Sequence, residues 1–127
     1  MFQLDLKSRR SIYEQIIDNI KEQIIAGLLQ PEDKLPSVRE LSRMLTVNPN
    51  TIQKAYRELE RQNYLYTVSG LGCFVCPPDR RTIDRSQIEH ITETLEASLK
   101  ELFYLGMSAE EIRSLLDRLL ERRDNEE

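Results

Sequence analysis

Tryptophan is absent from this chain, histidine occurs once, and cysteine occurs twice in 127 residues. The single histidine, His90, leaves general acid–base and nucleophilic catalysis without a candidate set, and no phosphate loop or nucleophile elbow is present. No enzyme and no cofactor are therefore expected, and His90 reads as an exposed residue on a helix. Cys73 and Cys76 are spaced C-x-x-C, but two ligands do not close a zinc site, and no second Cys/His pair exists to complete one. The segment around them, GCFVC, reads as a strand, in which residues three apart point to opposite faces. No apolar run approaches the roughly 18 residues that span a bilayer. The N-terminus, MFQLDLKSRR, lacks the charged-then-apolar order of a signal peptide. A cytoplasmic protein with no membrane partner is expected.

Charge is present in both signs and unevenly placed. The chain is 39% hydrophobic and 31% charged, with a net charge of −4. Residues 1–78 carry ten Lys/Arg against nine Asp/Glu, whereas residues 79–127 carry eight against thirteen. The acidity thus belongs to the C-terminal part. A near-neutral N-terminal module can still present a basic face, because a polyanion responds to local potential.

The pattern of apolar residues divides the chain. A first helix begins near Ser11, where Ser11 and Glu14 form a capping box. Ile12, Ile16, Ile17, Ile20, Ile24 and Ile25 follow at helical spacing, and Gly27 is a stop signal. The segment LLQPEDKLP, with two prolines, reads as non-helical. A second helix starts with the box Ser37/Glu40 and buries Val38, Leu41 and Leu45. Thr46-Val47 make a turn. A third helix opens with Asn48 as cap and Pro49 at its first position, where a missing N–H costs nothing, and ends near Asn63. Two β-prone runs, Tyr64–Val68 and Cys73–Cys76, flank Ser-Gly-Leu-Gly and read as a hairpin. The fold class expected is mainly α with a small β-hairpin: a winged helix-turn-helix over residues 1–76, a linker over 77–82 opened by Pro77-Pro78, and a helical segment over 83–127.

The third helix has two unlike faces. With Asn50 as the zero of a wheel advancing about 100° per residue, Gln53, Lys54, Arg57 and Arg61 fall within about 60° of it. Ile52, Ala55, Tyr56 and Leu59 cluster opposite. One face is built for burial, and the other carries donors that suit base edges and phosphates. Tyr56, Tyr64 and Tyr66 read as packing residues, since a single-strand binder needs several exposed aromatics along a basic groove.

At this point the residues resemble the GntR family of bacterial transcription regulators. The likeness lies in LPSVRELS, then VNPNTIQKAYRELE, then GLGCFV, and covers roughly residues 9–76. The short C-terminal part resembles the YtrA subfamily, whose members end in a two-helix dimerisation unit. The resemblance implies a DNA-binding transcriptional repressor acting on a palindromic operator, with its own transporter operon as the target. It also implies that Arg39 grips a phosphate at the start of the second helix, a role that suits the planar fork of arginine. Ser37 is a helix cap whose hydroxyl can also meet phosphate.

Asn48, Asn50, Thr51, Gln53 and Lys54 occupy the opening turns of the recognition helix, the part that lies deepest in a major groove. Asn and Gln can pair with adenine, and Lys with guanine; for Asn48, capping alone is the competing role. Arg57 and Arg61 lie further along, within reach of the DNA backbone or of local glutamates. Many family members place arginine where this chain has Pro49 and Gln53, so base preferences do not carry over. Gly70 and Gly72 form the wing tip and border the minor groove, where glycine permits close approach. Arg9, Arg10 and Tyr13 are candidates for the flanking backbone.

The C-terminal segment shows two apolar stripes. Ile88, Ile91, Leu95, Leu99, Leu102 and Phe103 form one; after Gly106 and a third capping box, Ser108/Glu111, come Ile112, Leu115, Leu116, Leu119 and Leu120. A lone hairpin of this size buries too little to hold itself. Two copies would make a four-helix core, so a homodimer is expected. A small-molecule effector is compatible with this reading, although no polar pocket is legible. The rival is a winged helix used as a protein-interaction adaptor without specific DNA binding.

Overall fold

A computed structural model describes residues 4–81 and 84–126. Ser11 caps α1 (Ile12–Ile25): its Oγ accepts the Glu14 amide at 3.1 Å. Ile16, Ile17 and Ile20 are buried, whereas Ile25 is 73% exposed. Nine residues beyond Ile16 is about half a turn around the helix, which carries Ile25 to the opposite side. Ser37 caps α2 (Val38–Leu45) in the same way through the Glu40 amide at 3.0 Å. The turn that follows holds Thr46 at φ 55°, ψ 50°, a left-handed conformation that is costly for a β-branched residue. Ser42 secures it, donating its hydroxyl to the Val47 carbonyl while its own carbonyl accepts the Val47 amide at 3.1 Å. Asn48 then caps α3 (Pro49–Arg61). Asn63, at φ 67°, follows it in the left-handed conformation that ends many helices.

The wing is the antiparallel pair β1 (Leu65–Val68) and β2 (Gly72–Val75), with Leu65 opposite Val75, Tyr66 opposite Phe74 and Val68 opposite Gly72. Leu65 and Val75 face inward and join Ile16, Ile20, Leu41, Ile52 and Leu59 in a core from which solvent is excluded. The proline-rich segment before α2 is non-helical, and it lies along the free edge of β2. The Glu32 amide bonds Val75 O at 2.9 Å, Asp33 O accepts the Val75 amide at 2.9 Å, and the Leu35 amide bonds Cys73 O at 2.8 Å. Lys34 pairs with Phe74 in an isolated antiparallel bridge beside the two-stranded sheet.

Beyond β2 the chain stays on the wing. Pro77 is buried, Pro78–Arg80 form a 3-10 turn, the Arg80 guanidinium lies 4.4 Å from the Tyr66 ring centroid, and Arg81 donates to Cys76 O at 3.3 Å. Pro77-Pro78 therefore opens a segment held to the wing through Arg81. Thr82 and Ile83, where the expected linker ends and the helical segment starts, lie outside the described residues, as do Met1–Gln3 and Glu127.

The chain divides into two compact units between Ile83 and Asp84. In the second, Asp84 caps α4 (Arg85–Tyr104) by accepting the Ser86 and Gln87 amides. Gly106, at φ 101°, lets the Met107 amide return to Leu102 O at 3.1 Å and stops the helix. Ser108 and Glu111 exchange both bonds of a capping box at 3.2 Å and start α5 (Ala109–Glu126). Ile112 is buried within the single chain, and Leu99, Leu102, Leu115 and Leu116 are half-buried. Ile88, Ile91, Leu95, Phe103 and Leu119 remain 47–53% exposed.

Candidate nucleic-acid interface

The site is built on α3, and its local sequence decides which side faces out. Ile52, Ala55, Tyr56 and Leu59 are buried, while Asn50, Gln53, Lys54 and Arg57 are exposed. A helix this polar on one side is held by its apolar side, through packing against α1 and α2. The core thus fixes which side chains are presented outward, which is what a rigid reading surface requires.

At the helix start the Asn48 side chain accepts the Asn50 amide at 2.9 Å. Its oxygen is committed to capping, and its NH2 remains a donor. Thr51 is half-buried beside it. Among the described residues, no hydrogen bond or ion pair engages the side chains of Arg39, Gln53, Lys54 or Arg57. Arg61 differs: its Nε donates to Glu58 at 2.9 Å. That bond, with a second from Gln62 at 2.7 Å, holds the Glu58 carboxyl down at about 2. Of the two alternatives open for Arg61, the structure displays the local glutamate. Arg10 is similarly engaged, 2.6 Å from Asp18 and 3.4 Å from Glu14.

Lys54, Arg57 and Thr51 line one open groove of about 540 Å³, together with Tyr13, Glu58 and Arg61. The groove gathers α1 and α3 side chains around a surface on which three cations face one carboxylate. Arg39 stands exposed in the first turn of α2, just after the capping Ser37. Its helix is tied to α3 by Tyr56, whose hydroxyl donates to Pro36 O at 2.7 Å. Burial pushes that phenol far above its ordinary pKa, and the nearby Cys73 and Glu40 push in the same direction, so it stays a donor at any physiological pH. Gly70 and Gly72 lie at the hairpin tip at φ 80° and 123°, and the Leu71 between them is 63% exposed.

Cys73 is half-buried and Cys76 is buried, both as free thiols. Burial, the largest influence on each thiol, raises its pKa, which disfavours the reactive thiolate. Among the described residues no cluster of three or more His, Cys, Asp and Glu could hold a metal ion, and no helix is long and apolar enough to cross a membrane. Two cation placements escaped the sequence reading. Lys34 sits in a segment that reads as a loop, and Arg80 sits in the linker. Neither placement has a local signal, because both depend on pairing with distant wing residues.

Comparison with known proteins bears on the family and the fold. Residues 12–75 match the family model described as bacterial regulatory proteins, gntR family. The HTH-type transcriptional repressor YtrA of Bacillus subtilis (strain 168) is 39% identical over 112 residues, covering 88% of this chain and 86% of that protein. A solved structure titled a transcriptional antiterminator from Listeria monocytogenes EGD-e has a TM-score of 0.75 at 40% identity, covering 94% of this chain and 89% of that one. The structure of AraR(DBD) in complex with operator ORR3 has a TM-score of 0.50 at 36% identity, covering 59% of this chain and 93% of that one.

Proposed function

We propose that this chain, which belongs to the GntR family of bacterial regulatory proteins, represses transcription as a homodimer whose two recognition helices engage the half-sites of a palindromic operator. The observation that carries the reading is the two-sidedness of α3: its apolar side is locked into the core, and its outward side offers Asn50, Gln53, Lys54 and Arg57. In this reading the opening turns of α3 enter the major groove, where Gln53 and Lys54 contact base edges and Arg57 reaches the backbone. Arg39 grips a phosphate, with Ser37 and Asn48 holding the helix starts, and the wing tip at Gly70 and Gly72 borders the minor groove. Support comes from the likeness to a DNA-binding domain solved on its operator.

Dimerisation rests on α4 and α5. Their half-exposed apolar residues form a surface that a second copy would cover, as a four-helix core. Two recognition helices would then meet half-sites about one helical turn, or a small multiple, apart. The protein acts in the cytoplasm. The resemblance of the C-terminal part to the YtrA subfamily implies its own operon as target, and a small-molecule effector is compatible with the arrangement. Footprinting on the DNA upstream of the chain's own gene, at two salt concentrations, tests the proposal. Two protected half-sites that weaken with salt support it. No protection, together with full function of Arg39→Ala, Gln53→Ala and Lys54→Ala variants, would instead indicate a protein-contact adaptor.

A further inference from the structure

The wing poses an electrostatic problem. Residues 64–76, YLYTVSGLGCFVC, contain no Lys, Arg, Asp or Glu. A hairpin of this kind has no charge of its own with which to approach a polyanion. The segment before α2 supplies one. Lys34 pairs with Phe74 across the edge of β2, which places its side chain on the face shared by Phe74, Tyr66 and Gly72. From there it runs across the wing toward the tip. A Cβ built on Gly72 would lie 3.0 Å from Lys34 Cε and 3.8 Å from its Nζ. Glycine at 72 therefore does two things: it accepts φ 123° and it leaves a channel for the lysine stem. The adjacent acid does not neutralise the ammonium in this arrangement, because Asp33 turns its carboxylate to the Gln30 amide at 2.8 Å. Among the described residues Lys34 forms no ion pair.

We infer that Lys34 is a DNA-backbone contact of the wing, a cation delivered from the segment before α2 to a hairpin whose own residues carry none, which seats the Gly70–Gly72 tip against a phosphate. The inference rests on the DNA-binding reading above. An ammonium on a flexible stem suits such a contact, because it needs no fixed orientation and acts on every sequence alike.

The test is the salt dependence of binding for Lys34→Gln and Lys34→Arg in the full chain, with Arg39→Ala beside them. One probe is a mixed-sequence duplex long enough for two half-sites; the other is the duplex upstream of the chain's own gene. Loss of one phosphate contact in each protomer should make the slope of log affinity against log salt shallower by about 0.9 per protomer, or about 1.8 for a dimer on two half-sites, which weakens dimer binding about 60-fold at about 0.1 M salt and not at all near 1 M. The loss should be equal on both probes, Lys34→Arg should restore it, and thermal melting should not change. An unaltered slope in Lys34→Gln, while Arg39→Ala flattens it, would overturn the inference and leave the DNA reading standing. A wild-type chain that binds neither duplex would overturn both.

Discussion

Leu95 offers the sharpest test of the proposed dimer. It lies mid-way along α4 and is 51% exposed in the single chain, so about half of its side chain remains to be covered. Full burial of a leucine is worth about 1.5–3 kcal/mol, which makes the uncovered half worth about 1 kcal/mol. Symmetry doubles the effect, because each copy contributes the same residue to an isologous interface. Leu95→Ala should therefore weaken dimerisation by about 2 kcal/mol, or roughly 30-fold in Kd. Leu95→Asp should do more, since a carboxylate would have to be desolvated at the seam. Sedimentation equilibrium over a concentration series reads the constant directly. Circular dichroism controls for helix content, which an exposed position should leave intact. A dimer constant unchanged in both variants would refute the assignment of this face to the interface, and a monomeric wild type at tens of micromolar would refute the dimer itself.

Three further outcomes follow from the hydrogen-bond network and the exposed cations. Tyr56→Phe removes the 2.7 Å bond to Pro36 O and should cost about 1 kcal/mol in urea unfolding; equal stability would mean the bond contributes nothing net. Glu58 titrates at about 2 in the folded chain, below its ordinary 4.5. A lowered carboxyl stabilises the fold above its unfolded pKa and loses that contribution as pH falls through the folded value. Arg61→Ala should therefore cost about 1 kcal/mol near neutrality after allowance for solvent screening, with the difference shrinking as pH drops from 4.5 toward 2; a pH-independent difference would contradict the linkage. Arg39→Ala should weaken binding to all duplexes alike and flatten the salt slope, whereas a sequence-selective loss would show that Arg39 reads bases.

The parts legible in the sequence are those set by local chemistry. Ser11/Glu14, Ser37/Glu40 and Ser108/Glu111 mark helix starts because a cap is made within four residues. The split of α3 into Ile52, Ala55, Tyr56 and Leu59 against Asn50, Gln53, Lys54 and Arg57 follows from helical period alone. What escaped depends on contacts distant in sequence. The Tyr56–Pro36 bond spans twenty residues, and the pairing of Lys34 with Phe74 spans still more. Neither leaves a periodic trace. Arg80 reads as linker charge until Tyr66 is placed beneath it. The left-handed turn at Thr46 runs against the preference of its own residue type and is held by Ser42 instead. Ile112, grouped by periodicity with the stripe of α5, is buried in the single chain, since period alone does not tell an intramolecular partner from a second copy.

The most direct measurement is equilibrium binding of wild type and Gln53→Ala to a panel of operators, each with one base pair changed. If the outward face of α3 reads bases, wild type should discriminate by about 1–3 kcal/mol at the base pair Gln53 contacts. The variant should lose discrimination at that position in each half-site and keep it elsewhere. A variant that ranks every operator as wild type does would contradict the placement of α3 in the major groove.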